Sequence, residues 1–158
     1  MKKSQKNSLF LLRVTMGWLF FYAGITKVLN PNWTSAGYLK AAKTFTGFYQ
    51  WLASPAMLPT IDFLNKWGLT LIGAALILGL FVRFSSVIGA GMMILYYLPI
   101  LTFPYIGANS YIVDDHIIYA AAFLVLAAFR AGHAYGLDPW CASLPICSKF
   151  PKLRKLIG

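Results

Sequence analysis

Two stripes of residues in this 158-residue chain are of types and spacings that could do chemistry. The first is Arg13, Gly17, Phe20, Gly24 and Lys27, spaced 4, 3, 4 and 3. At 3.6 residues per turn these fall on one helix face. The glycines admit a neighbouring helix or a flat ligand, and a cation stands at each end. The second stripe opens with Asp114-Asp115-His116. His116, Tyr119, Phe123 and Arg130 share a face, and Asp115 and Tyr119 form an i, i+4 pair. Together they supply proton acceptors, an imidazole that exchanges protons near neutral pH, and a phenol. Such a set suits proton-coupled chemistry on a lipid-soluble redox molecule. Plainer roles are equally open. The aspartates can answer the positive end of a helix dipole or pair with Lys27 or Lys66, and the glycines can serve helix packing alone.

Hydrophobic residues make up 59% of the chain, charged residues 11%, and mean hydropathy is +0.65. A soluble domain carries about 25% charged residues, so lipid must solvate much of this surface. Four apolar stretches, about 9–29, 61–82, 84–103 and 112–130, approach the ~20 residues that cross a ~30 Å hydrocarbon core. The alternation of a membrane barrel is absent. The expectation is an all-α protein. It is a single integral membrane domain over 1–158, a four-helix bundle closed by a basic tail over 131–158. Pro99 is expected to kink the third span. Only Arg83 separates spans two and three, which predicts a tight helical hairpin. The connection over 30–60 carries Trp33, Tyr38, Phe45, Phe48, Tyr49 and Trp51. It reads as an aromatic-rich interfacial segment of one or two short helices, bounded by Pro31 and by Pro55 and Pro59. The start, Met1-Lys2-Lys3, lacks a small-residue cleavage site after its apolar run, so the first span is expected to remain uncleaved.

The formal net charge is +10. Basic residues cluster at span ends, which points to anionic lipid headgroups and not to nucleic acid. Lys27, Lys40, Lys43 and Lys66 fall on one side of the membrane and the other ten Lys and Arg on the opposite side. That asymmetry places both termini in the cytoplasm of a cell-membrane protein. Asp114, Asp115 and Lys27 then share the outer level, where Lys27 is expected to pair with one of the aspartates. His116 and His133 are seventeen residues apart, roughly 25 Å along a helix, too far to clamp one haem iron. No metal cluster or flavin fingerprint is visible. Cys141 and Cys147 match neither a zinc pattern nor C-x-x-C and read as reduced thiols.

The succession Leu12-Arg13 … Gly17 … Phe20 … Gly24 … Lys27, then Asn30-Pro31 … Trp33, then Val113-Asp114-Asp115-His116, then Arg130-Ala131-Gly132 … Tyr135-Gly136-Leu137-Asp138 resembles the DoxX family over roughly residues 9 to 140. It is closest to the DoxD branch, which supplies the small membrane subunit of thiosulfate:quinone oxidoreductase. The resemblance implies a four-helix membrane bundle and a quinone as cofactor or substrate. On this reading the ring lies between spans one and four. Lys27 and His116 bond its oxygens, Asp115 relays protons, and Gly24, Phe20, Tyr119 and Asp114 complete the site. Electrons would come from thiosulfate or another reduced sulfur species, directly or through a second subunit, and a homo-oligomer is also open. The competing expectation is a non-enzymatic scaffold or assembly factor for a partner protein.

Overall fold

The computed structural model describes residues 1–107 and 110–143. Helix α1 (Lys3–Leu29) leads through two short helices, α2 (Ala36–Lys40) and α3 (Thr46–Leu52), to α4 (Leu58–Leu78) and α5 (Val82–Ile100). A small antiparallel hairpin, β1 (Tyr105–Gly107) and β2 (Ser110–Tyr111), precedes α6 (Asp115–Ala128). A 3-10 turn at Ala131–His133 and α7 (Asp138–Ser143) follow. The described chain is thus mostly helical, with α1, α4 and α5 each long and apolar enough to cross a membrane. The expected basic tail beyond residue 143, Cys147 included, lies outside the described residues.

The fourth apolar stretch is shorter than expected. Asp114 is extended and caps the helix, accepting from the backbone N–H of His116 (3.1 Å) and Ile117 (3.2 Å). Arg130, in the left-handed region, stops continuation at the other end. The 14 residues between span roughly 21 Å at 1.5 Å each, less than a full hydrocarbon core. The boundary between α4 and α5 also moves. It falls at Gly79–Phe81 and not at Arg83, because Gly79 takes φ +69° and Phe81 φ +54°. The freed Phe81 N–H donates to Asp138 Oδ1 at 2.7 Å, a partner 57 residues away.

Helix α1 packs along α4 and α5 along α6, and the two pairs meet through α4–α5 and α1–α6. Spans one and four do meet, but Gly17 and Gly24 are not at that contact. A Cβ on Gly24 would run into the backbone N and Oγ1 of Thr70, and one on Gly73 into the backbone of Phe21. The glycine stripe therefore brings α1 against α4, backbone to backbone. Contact with α6 is aromatic instead. Phe20 stacks edge-on against Phe123 (centroids 4.9 Å) and Tyr119 (5.9 Å), with Phe123 wholly buried.

Pro99 decides how the short helices dock. It has no N–H, so the carbonyl four residues earlier, Leu95, loses its helical donor. The Tyr49 hydroxyl, on α3, donates to that oxygen at 2.9 Å. The Tyr38 hydroxyl donates to the Tyr96 carbonyl, Lys43 N–H to the Pro99 carbonyl (2.8 Å) and Thr44 Oγ1 to the Leu101 carbonyl (2.5 Å). Helices α2 and α3 thus form a roof pinned to the unsatisfied carbonyls at the end of α5.

At the opposite end of the molecule, Arg13 is wholly buried. Its Nη1 donates to the Ala131 carbonyl (2.9 Å) and Nη2 to the Tyr135 carbonyl (3.3 Å), and Phe10 covers the guanidinium at 5.5 Å. Asp138, 1% exposed, adds an opposite charge nearby. This end is a clasp that ties the segment after α6 onto α1. Cys141 packs beside it, buried against Leu80 and Phe81.

Candidate functional site

The roofed end holds the cavities. One of about 300 Å³ is lined by Lys27 at the end of α1, Trp33, Thr34 and Ser35 in the following turn, Tyr38 on α2, Asn65 on α4, Tyr96 on α5 and His116 on α6. A smaller chamber of about 200 Å³ continues beneath it between α1, α5 and α6, lined by Phe20, Ala23, Lys27, Tyr96, His116 and Tyr119 among others. Lys27, Tyr96 and His116 belong to both. Four of the seven residues singled out from the sequence, Lys27, Phe20, His116 and Tyr119, are thereby brought together.

His116 is the best-anchored of them. Its Nδ1 lies 2.6 Å from Asp114 Oδ2. An ionised carboxylate only accepts, so Nδ1–H is the donor and Nε2 is left for another partner. Asp114 therefore does two jobs, capping α6 with one oxygen and orienting the imidazole with the other. Tyr96 stands edge-on to the imidazole, centroids 6.3 Å apart. Its hydroxyl is buried and has no hydrogen-bond partner among the described residues. Asn65 is close enough to act on the Tyr96 hydroxyl electrostatically, but outside hydrogen-bond geometry. Burial, with Tyr49 and Asp114 adding to it, pushes the Tyr38 phenol up to about 12, which keeps it a neutral donor.

The expected Lys27–aspartate pair does not form. Among the described residues no carboxylate oxygen lies within 4.0 Å of Lys27. Its Nζ donates to the Ala23 carbonyl at 2.8 Å and sits 5.5 Å from the centroid of the Trp33 ring. The reason is competition. Asp114 is claimed by the N-terminus of α6 and by His116, while Asp115 is exposed on the first turn. Lys66 also lies 5.5 Å from the same indole, so two cations share one ring. Asp62 is held by Ser35, whose N–H and hydroxyl donate to Oδ1 at 2.8 and 2.6 Å. Gly24 does not line the site, because α4 occupies the space beside it.

With the geometry in place, comparison with known proteins adds one match. A family model described as DoxX matches residues 8–101, more than half of the chain. The chain belongs to the DoxX family. DoxX is a membrane-associated family, in keeping with the three apolar helices. The match covers α1 to α5 and ends before Asp114, so the α6 side of the cavity is not part of it. It is also shorter than the resemblance over 9 to 140. No curated protein and no solved structure matches the chain. Within this DoxX protein, sequence reasoning missed Tyr96, Asn65, Ser35 and the site role of Trp33. Asn65 did carry a signal, a polar residue within an apolar span. Tyr96 carried none, since Tyr96-Tyr97 reads as an ordinary aromatic pair near a span end. Among the described residues no group of three or more His, Cys, Asp or Glu could hold a metal ion.

Proposed function

We propose that this DoxX-family protein binds the ring of a lipid-soluble quinone in the cavity between Lys27, Tyr96 and His116. On this reading it is the membrane subunit of a quinone-linked oxidoreductase, of the DoxD type, with thiosulfate or another reduced sulfur species as electron donor. The observation that carries the proposal is the buried, unpartnered hydroxyl of Tyr96 beside an imidazole whose second nitrogen is free. A buried polar group without a partner costs about 1–3 kcal/mol, and a ligand carbonyl would satisfy it. Lys27 Nζ has two further donors. The residues present therefore fit a flat molecule with two acceptor oxygens. When bound, a quinone supplies a two-electron, two-proton acceptor. The electrons come from the sulfur donor, directly or through a second subunit. His116 holds the exchangeable proton, Asp114 fixes its tautomer and compensates the charge of the protonated ring, and exposed Asp115 links the pair to water.

The same reading makes α6 the fourth helix of the bundle, crossing where the hairpin and roof complete the span. It places the protein in the cell membrane with both termini in the cytoplasm and the cavity facing outward. A cysteine at Gly47, which has open space around it, should react with an impermeant reagent from outside, and one at Ser4 should not. Gly17, Gly24 and Gly73 are spent on the α1–α4 contact and so are not open to the partner that a scaffold would hold. The decisive experiment is solvent extraction and mass spectrometry of the purified protein. Wild type should carry a quinone and His116→Gln should carry much less at unchanged fold. Equal loading of the two, or no quinone in wild type, would overturn the reading.

A further inference from the structure

A third cavity, of about 330 Å³, lies between α4 and α5 under the α2–α3 roof. On α4 it is lined by Ile61, Leu64, Asn65 and Gly68, and on α5 by Ile88, Met92, Leu95 and Tyr96. Both sets have helical spacing, so each is one face of its helix. Gly68 on α4 contributes no side chain to the groove, and a Cβ there would come within 3.4 Å of Met92 on α5. Leu64, Ile88 and Leu95 are exposed, so the lip of the groove opens on the lipid-facing surface.

The polar groups along this groove are already satisfied by the protein. The Tyr49 and Tyr38 hydroxyls donate to α5 carbonyls, and the Ser35 hydroxyl donates to Asp62. What remains for an occupant is apolar. At the inner end the pattern reverses. Ser35, Tyr38, Asn65 and Tyr96 line both this groove and the polar cavity, and the unpartnered Tyr96 hydroxyl belongs to that shared set. An apolar groove open to lipid therefore runs into a polar chamber with unused donors. Each volume is at the lower end of the ~300–1,000 Å³ of small-molecule sites. One molecule with a polar head and an apolar chain fits both at once.

We propose that the α4–α5 groove holds the isoprenoid chain of the quinone whose ring lies in the polar cavity, and that the ligand enters sideways from the bilayer between these two helices. The assignment rests on the quinone reading. It adds the substrate class, a long-chain quinone, and the route of entry.

The test uses the full chain in lipid nanodiscs. Two ligands are compared, a ring-only benzoquinone and the same ring bearing an isoprenoid chain with a photoreactive diazirine. Compared at equal concentration in the bilayer, wild type should bind the chained ligand about tenfold more tightly, through van der Waals packing of the chain along the groove. Photolabelling should fall on α4 and α5 peptides. Gly68→Leu should abolish the preference while leaving ring-only affinity unchanged. A Cβ at Gly68 meets only the far end of Met92, at 3.4 Å, and the remaining leucine atoms fill the groove. Ile88→Trp, at the exposed lip, gives the same test without touching the interior. Retained preference in both folded variants would overturn the chain assignment and leave the ring site standing, as would labelling confined to α1 and α6. Labelling by a diazirine-bearing phosphatidylglycerol that the chained quinone does not displace would show a structural lipid instead. If wild type binds neither quinone, the ring reading fails and the chain assignment falls with it.

Discussion

Asp114 has two separable roles, and three substitutions can weigh them. Its carboxylate caps α6 through the N–H groups of His116 and Ile117 and holds His116 Nδ1 at 2.6 Å. Loss of an N-cap costs about 1 kcal/mol. A hydrogen bond to a charged group contributes about 1.5–3 kcal/mol when buried. The side chains here are 11% and 28% exposed, so solvent screening reduces that to about 1 kcal/mol. Asp114→Ala should then cost about 2 kcal/mol. Asp114→Asn keeps a good capping oxygen and should cost about 1 kcal/mol or less. His116→Gln should cost about 1 kcal/mol, and Asp114→Ala made in that background only about 1 more, a coupling of about 1 kcal/mol. Reversible unfolding in mixed micelles measures all four. If Asp114→Ala costs the same with Gln at 116 as with His, the bond contributes nothing. If Asn is as damaging as Ala, the cap argument fails. The quinone measurement adds a functional axis, because Asp114→Asn should preserve α6 yet weaken orientation of the imidazole.

Three further expectations follow from the packing. Gly24→Leu drives a side chain into the Thr70 backbone, which cannot swing aside. It should exceed the ~1–3 kcal/mol typical of overpacking and abolish the monodisperse peak in detergent, and a stable, unchanged peak would contradict the α1–α4 contact. Tyr49→Phe strands the Leu95 carbonyl left by Pro99. It should cost about 1–3 kcal/mol and expose the roof first to limited proteolysis, with α1 and α4 still protected. Asp138 tests the clasp through pH. Burial raises its carboxyl above the ordinary range, against the opposing pull of the Phe81 N–H, His133 and Arg13. A raised folded value means the stabilising contribution is full below the unfolded value, near ~3.9, and declines as pH rises through the folded one. Wild type should therefore lose ground to Asp138→Asn as pH climbs out of the carboxylate range, and a constant difference across that window would contradict the buried placement.

Much of the architecture was legible without coordinates, because in lipid the chain has few options. Apolar runs of crossing length must be helices that satisfy their own backbone, and α1, α4 and α5 appear near the places where hydropathy puts them. The aromatic connection folds into two short helices, as its prolines and interleaved rings suggest. His116, Lys27, Phe20 and Tyr119 could be picked out because ionisable groups and their helical spacing stand out against an apolar background. Pairing was a different matter. Periodicity shows which residues share a face but not which helix that face meets, so only the folded chain shows that the glycine stripe packs on α4. The partner of Lys27 was misread for a related reason. Two aspartates beside a helix start have a local competitor, the cap, whose N–H groups lie two and three residues along the chain and need no folding to find. Tyr96 became a site residue only through distance in the chain, with α5 and α6 stacked beneath a roof that Pro99 had made possible. Arg13 and Asp138 are the same lesson at the other end. Their types are conspicuous in the sequence, but 125 residues separate them, and only the way the chain closes after α6 brings that charge and its counter-charge into one buried clasp.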